Sequence, residues 1–506
     1  MNLWQLTVPG FLEMYDTGVY VAATMHFTSG SLPYRDFFFV QPPGIVLLMS
    51  PIGLFSRIFG THDAFELVRV ISSFVTALDA VLVAWLVRHR GRCAMLVAGA
   101  GLALMPVAVY VSSGLRLEPY CICGILLASL VVISDRSDLH HLTDRQLIVA
   151  GILMGLATLI KLWALFPLLA LVICLVPSCR KRVLLLITAA VAAFVVPSLP
   201  FFLAAPRNFI SEVFIDQVFR KADASTGAQS LLWRLSDLTG FSFTSIAPDR
   251  AEVVVGFVAF IGVVILAFSR RVQHEVVDVF LLLSAATTVG ALLIAPEYLS
   301  YYGYFASPFL LGLLAVSLSR LGPPARQLAR HLAISPLVRR LIVGASALSS
   351  AVLVVALVAY VTTFYSFGVR WGVADSELRP VAKYIPAGSC VIYSDVAYGV
   401  YTNRLLSSHR DCPIVIDPVG LWMAWGYQLV PPAPGFVSQW KSDFEAAQYV
   451  VLPHPTTGPL APFVNRWQVS EIPWNQSLLA WFSLHYHLTF GRGSLYIYEH
   501  DSGTRR

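Results

Sequence analysis

Ten apolar runs dominate this chain: Leu67 to Val87, Ala94 to Val111, Pro119 to Ser134, Leu147 to Ile160, Leu162 to Leu175, Val183 to Leu203, Val253 to Phe268, Val276 to Ile294, Tyr301 to Leu318 and Leu341 to Phe364. A helix needs about 20 apolar residues to cross ~30 Å of hydrocarbon, so such a series demands a bilayer. The runs are continuous, as in VTALDAVLVAWLV, whereas a transmembrane barrel would show ~10-residue alternating strands. The spanning part is therefore expected to be all-α. Composition agrees, with 57% hydrophobic and 13% charged residues and a mean hydropathy of +0.70. These values exclude disorder, a soluble enzyme and a secreted disulfide scaffold.

The charges orient the bundle. On one side the connections carry Arg88, Arg90, Arg92, Arg136, Arg145, Arg180 to Arg182, Arg270, Arg271 and a series from Arg320 to Arg340, while the opposite short connections carry only Arg116 and Lys161. By the positive-inside rule the first side is cytoplasmic. The net charge of +6 then reflects topology, not nucleic-acid binding. The N-terminal segment, the loop from Ala204 to Arg250, the connection PEYLSYY and everything after Phe364 are expected outside. This gives a transmembrane domain over residues 1–365, with outer loops at 14–63 and 204–250, and an extracytoplasmic domain over 366–506.

Phe37 to Phe59 is apolar enough to span, but Pro42, Pro43 and Pro51 divide it, so a juxtamembrane or re-entrant helix is expected there. Leu147 to Ile160 and Leu162 to Leu175 are short and read as a hairpin with Lys161 at its tip, the floor of an outward cavity. The loop from Ala204 to Arg250, with Arg207, Arg220, Lys221 and Arg234 among aromatics, is expected to hold short helices. In the C-terminal region SCVIYSD, CPIVID, QYVVLP and SLYIYEH read as strands, and SELRPVAKYI and SDFEAA as helices, giving a small α/β domain. Cys390 and Cys412 lie in that region and are expected to pair if it is outside. There is no P-loop and no CxxC motif, and nothing indicates a metal or other cofactor.

The segment from Met14 to Gly44, MYDTGVYVAATMHFTSGSLPYRDFFFVQPPG, sets Asp16, Arg35, Asp36 and several aromatics against the outer membrane face. Its D-x-G-x-Y and Y-R-D-F-F-F-x-x-P-P-G patterns, the later GLRLEPY and a lysine in a short hairpin resemble the GT-C superfamily of polyprenyl-phosphate-sugar-dependent glycosyltransferases, in its protein-mannosyltransferase and aminoarabinose-transferase branch. The resemblance implies that Asp16 is the catalytic aspartate, that Arg116 and Glu118 form a polar pair at a helix end, and that Lys161 is the hairpin lysine. It also implies that YYGYFASPF, with Tyr301, Tyr302 and Tyr304, approaches the lipid phosphate. Two departures stand out: relatives carry a complete helix ahead of the aspartate, and often Lys where Gln41 stands.

The chemistry suits such a set. A lipid phosphate leaves as a stable anion, so its sugar can be transferred without a general acid, given one carboxylate to take the acceptor proton and cations to hold the phosphate. Asp16 would serve as the base and Lys161, Arg35 and Arg116 as the cations, with inversion at the anomeric carbon. Each residue also has a structural reading. Asp16 can cap a helix, Asp36 can pair with Arg35, Glu118 can complement a helix dipole, and Asp79 can be an interhelical tie. His140 and His141 read as solvated.

The expectation is an integral plasma-membrane glycosyltransferase of a bacterium, since the Arg-over-Lys and Ala, Val, Leu bias suits a high-GC genome. It would move a sugar, mannose for preference or arabinose, from a polyprenyl phosphate to a cell-envelope glycan, lipoglycan or protein, with no role for nucleic acid. A secondary transporter and a noncatalytic envelope scaffold are the readings from other classes.

Overall fold

Nine of the ten apolar runs lie on helices in a computed structural model of the protein, which describes residues 15–133, 142–218, 230–238, 250–269, 275–295, 298–331, 375–425, 433–456, 472–493 and 495–501. The tenth, Leu341 to Phe364, lies outside the described residues, as do Arg136, Arg220, Lys221, Arg270, Arg271, His140 and His141. Among the described residues five helices are long and apolar enough to cross a membrane: Thr61–Leu86, Leu162–Cys179, Val183–Ala204, Val276–Ile294 and Ser300–Arg320. The remaining apolar helices among the described residues are shorter, including Gly44–Phe59, Arg92–Leu104, Leu117–Ile133 and Glu252–Phe268.

In chain order the first nine helices are α1 (Tyr15–Thr28), α2 (Gly44–Phe59), α3 (Thr61–Leu86), α4 (Arg92–Leu104), α5 (Pro106–Val111), α6 (Leu117–Ile133), α7 (Asp144–Ile160), α8 (Leu165–Cys179) and α9 (Val183–Ala204). The Phe37 to Phe59 run becomes α2, 16 residues with Pro51 inside, too short for a full crossing. The hairpin of α7 and α8 begins earlier than its apolar run, because Thr143 and Gln146 form a capping box that starts α7 at Asp144. It breaks at Lys161, whose extended backbone (φ −149°, ψ 127°) ends α7 before the turn Leu162–Ala164.

Small residues set the packing. Gly151 and Gly155, one turn apart on α7, face α9 so closely that an added Cβ would stand 2.3 Å from the carbonyl oxygens of Leu186 and Ala190. This small-xxx-small contact brings two backbones together where lipid offers no hydrophobic drive. At the other end of α7, a Cβ on Gly44 would stand 2.5 Å from the Leu159 carbonyl, so the start of α2 is pressed against the residues leading into Lys161.

The region from 375 to 501 carries a four-stranded sheet in the order β1-β2-β4-β3, from β1 (Val391–Tyr393), β2 (Tyr449–Leu452), β3 (Tyr486–Arg492) and β4 (Leu495–His500). β1 and β2 are parallel, and β4 runs antiparallel to both β2 and β3. Trp440, Phe444 and Phe482 fill the space beneath it. Cys390 and Cys412 are joined in a disulfide with their Cα atoms 5.4 Å apart, as the sequence suggested. Two strand expectations change. CPIVID is unpaired chain tethered by that disulfide at one end and turned into the helix Pro418–Ala424 by Asp417 at the other. The fourth strand is instead YHLTFGR, which forms a hairpin with β4.

This region is fastened to the helical bundle. Thr61 donates its hydroxyl to the Val400 carbonyl, the Asn403 side-chain oxygen accepts the His62 N–H at 3.0 Å, and His62 Nδ1 lies 2.9 Å from the Tyr401 carbonyl oxygen. Asn403 makes this contact from a left-handed conformation (φ 57°), one that Asn tolerates better than most residues.

Candidate active site

Four separate pieces of chain deliver the charged residues to one place. Asp16 stands in the first turn of α1, and Glu118 in the first turn of α6 with Arg116 just ahead of it. Lys161 occupies the break between α7 and α8, and Tyr301 and Tyr302 lie in the turn Ser300–Tyr302 that precedes the helix Gly303–His331. All are ends of helices, where a charge or a ring can leave the apolar packing without breaking an intrahelical hydrogen bond.

Two ion pairs result. Arg116 pairs with Asp16, and Lys161 with Glu118. Each cation also has an aromatic face: Arg116 lies 4.6 Å from the Tyr301 ring centroid and 5.7 Å from that of Tyr110, and Lys161 lies 4.0 Å from Trp163 and 4.2 Å from Tyr302. Tyr301 and Tyr302 meet edge to face at 4.9 Å, which joins the two pairs into one polar node over an aromatic floor.

Desolvating two cations and two carboxylates is costly, and their attraction repays it only when every remaining polar atom is satisfied. Here Glu118 Oε2 is buried without a hydrogen-bond partner among the described residues. Asp16 differs, keeping 23% of its side chain exposed beside a nearly buried Arg116. The node therefore opens to its surroundings at Asp16 and closes at Lys161.

The other expected site residues divide. Arg35 and Asp36 pair with each other at 2.7 Å, with side chains 49% and 29% exposed, and do not join the node. The guanidinium of Arg35, together with the Leu32 N–H, holds the Asp36 carboxyl below its usual range against a smaller opposing effect of burial. Between the expected pair and the buried chain, Tyr34 takes a left-handed backbone (φ 69°) that sends its ring inward against Phe209 and its hydroxyl to the Gln41 carbonyl at 2.6 Å. Tyr304 also points elsewhere. Its hydroxyl donates to Asp79 Oδ2 at 2.8 Å, which makes Asp79 the interhelical tie suggested by its lone position in α3.

Three carboxylates escaped the sequence reading. Glu212 accepts the Phe39 N–H at 2.8 Å, while Asn208 donates to the Tyr34 carbonyl at 2.7 Å, so the short helices after α9 clamp the segment leading into α2. Burial, aided by Asp216 and Asp417, pushes the Glu212 carboxyl up to about 8. Asp417 accepts the Tyr15 hydroxyl at 2.7 Å and the Gly420 N–H at 2.8 Å. An Asp before Pro418 and a Gly three positions on was a readable helix-start signal. Asp395, pushed up to about 7 chiefly by burial and further by Asp16, gave no comparable signal. Among the described residues no three His, Cys, Asp or Glu side chains gather as metal ligands would.

Residues 39–296 match the model of Glycosyltransferase family 87. No curated protein matches the chain. Among solved structures, the chain is similar to ArnT from Cupriavidus metallidurans in the apo state, with a TM-score of 0.59 at 15% identity over 98% of this chain and 95% of that one. The same protein bound to undecaprenyl phosphate gives 0.58 at 15% identity, over 98% and 96%. The oligosaccharyltransferase of Archaeoglobus fulgidus, in complex with Zn and sulfate, gives 0.51 at 14% identity, over 98% and 70%. These are GT-C folds.

Proposed function

The chain belongs to glycosyltransferase family 87, and from that membership we propose that it transfers a sugar from a polyprenyl-phosphate donor to an acceptor on the outer face of the plasma membrane. The observation that carries the proposal is the joining of Asp16–Arg116 and Glu118–Lys161 across the Tyr301 and Tyr302 rings. Support for the donor class comes from the ArnT structure with undecaprenyl phosphate bound, whose fold extends over 98% of this chain.

In this reading the phosphate of the donor lies between Lys161 and Arg116, where two desolvated cations stabilise the anion released when the sugar departs. The aromatic rings of Tyr301 and Tyr302 position those cations. Asp16 is the one partly exposed carboxylate of the node, and it takes the proton of the attacking acceptor hydroxyl as the new bond forms. The hydroxyl approaches opposite the phosphate, so the anomeric centre inverts. Mannose is the preferred sugar, with arabinose next. Arg35 and Asp36, exposed and paired together, contribute in this reading to substrate capture rather than to the chemistry.

Reconstitution in vesicles with decaprenyl-phosphate mannose or decaprenyl-phosphate arabinose as sole donor, and host envelope extract as acceptor, tests the proposal. Radiolabelled sugar appearing in the extract supports it, and failure with every lipid-phosphate sugar tried removes it. Orientation is tested separately by labelling a single cysteine at position 330 in intact cells. Reaction from outside would reverse the assigned topology.

A further inference from the structure

The opening beside Asp16 has a second wall, built from the C-terminal region. Tyr15 donates its hydroxyl to Asp417 at 2.7 Å and accepts the Val419 N–H at 2.8 Å. On the other side of Asp16, Gly18 meets Ala397 so closely that an added Cβ would stand 2.6 Å from the Ala397 Cβ. Asp16 is thus bracketed by two contacts to one region, and Asp395 lies two residues from the second of them. The carboxylates of Asp16 and Asp395 are near enough for the charge of one to act on the other.

Their surroundings differ. Asp16 has the Arg116 guanidinium. Asp395 has one hydrogen bond, from the Ala397 N–H at 3.0 Å to its Oδ1, and among the described residues its second oxygen has no hydrogen-bonding partner and no cation pairs with it. It remains half-buried, not sealed. That oxygen is open to solvent, so a ligand hydroxyl can reach it and take the place of water there.

We propose that Asp395 is the acceptor-binding carboxylate of the site, that its free oxygen takes a hydrogen bond from an acceptor hydroxyl, and that the acceptor is a neutral, hydroxyl-rich glycan. The proposal rests on the transfer reading above. An O–H donor satisfies this oxygen, whereas a phosphate or carboxylate on the acceptor would meet Asp395 and Asp16, with Asp417 bonded to Tyr15 close by. The lipid phosphate escapes that repulsion because Lys161 holds it at the closed end of the node and Arg116 offsets the charge of Asp16. Desolvation, which holds the Asp395 carboxyl back to about 7, makes a hydrogen bond to its ionised form worth more than at an open surface.

The test uses the full-length enzyme in vesicles with whichever lipid-phosphate sugar the wild type turns over. Two rates are read: release of free sugar to water, and transfer to a neutral alkyl glycoside titrated as acceptor. Asp395→Asn keeps an oxygen for the Ala397 N–H, so its fold is preserved. It is expected to raise the KM for the glycoside by about tenfold or more, because a charged hydrogen-bond acceptor is lost. Release to water reports whatever the lost charge does to Asp16, and the rise in glycoside KM is expected to exceed the change in that rate by about tenfold. Asp395→Glu should recover part of the loss. An unchanged glycoside KM in Asp395→Asn, or an equal fall in both rates, overturns the proposal while leaving lipid-phosphate transfer intact. A wild type that turns over no such donor removes the transfer reading, and this proposal with it.

Discussion

Two buried ion clusters occupy opposite ends of one bundle, and they use charge in opposite ways. Tyr302 precedes the helix Gly303–His331 and Arg320 lies 18 residues further on, about 27 Å along its axis. At the Arg320 end, both oxygens of Asp278 receive Arg90 at 2.8 Å, and Arg320 and the Glu275 N–H (2.9 Å) also converge on that carboxylate. Glu275 in turn binds Arg90 at 3.0 Å and His89 at 2.8 Å. Cations crowd one carboxylate and clasp three pieces of chain. At the Tyr302 end Arg116 meets Asp16 and Lys161 meets Glu118, both cations lie against aromatic rings, Glu118 Oε2 has no hydrogen-bond partner among the described residues, and Asp16 is partly exposed. The first arrangement holds the bundle. The second, in the reading proposed above, keeps charge available for a ligand.

The sharpest way to break this contrast is to exchange one carboxylate at each end. Asp16→Asn should lower turnover by about 10²–10⁴-fold, the usual contribution of a general base, with an unchanged melting temperature in detergent. Asp278→Ala leaves Arg90 and Arg320 buried without their partner and should cost about 3–5 kcal/mol of stability, with turnover per folded molecule unchanged. Chemical denaturation and activity measured on the same samples separate the two. If Asp16→Asn unfolds the protein and Asp278→Ala does not, the roles assigned here are reversed.

A smaller change sharpens the picture within the open node. Lys161→Ala should raise the apparent KM for the lipid-phosphate donor by about tenfold, with a lesser effect on the rate at saturation, since its partner is the phosphate in ground and transition states alike. A defect confined to the rate would move Lys161 from binding to chemistry.

The smallest expected effect is on pH. Burial raises the carboxyls of Glu212 and Asp395, to about 8 and about 7, so the folded protein prefers them protonated. Their contribution to stability is fully present below the ordinary carboxylate range and is lost as pH rises toward 7 to 8. Melting in detergent should therefore fall between pH 5.5 and pH 8, and Glu212→Gln should shrink the fall. A melting temperature that rises over this interval would contradict the burial of these groups.

Legibility in the sequence follows from background. Lys161 stood out because charge at membrane depth has few innocent explanations, whereas Asp16, Arg116 and Glu118 were picked out by the family resemblance of their motifs. Arg90 and Arg320 were also visible, but a positive loop is read as solvated, and only the three-dimensional arrangement shows both on the buried Asp278. Asp395 had no contrast to reveal it. It closes the strand-like run SCVIYSD, where an aspartate reads as an ordinary strand-end residue, and only the meeting of Ala397 with Gly18 brings it near Asp16. The hairpin of β3 and β4 was half seen for a related reason: YHLTFGR continues an aromatic run that begins as a helix, and the switch at Tyr486 depends on pairing with His500.

Tyr15 and Asp417 meet across 402 positions of sequence, and this separation sets the order in which the protein can be made. α1 leaves the ribosome well ahead of the wall that completes its recess. Through most of synthesis Asp16 and Gly18 stand without their neighbours, and contacts of such separation form slowly. A chain cut short before residue 395 would insert its bundle and its two ion pairs but present no wall for an acceptor. The residues proposed to bind the acceptor thus join the two ion pairs only after the bundle has been made.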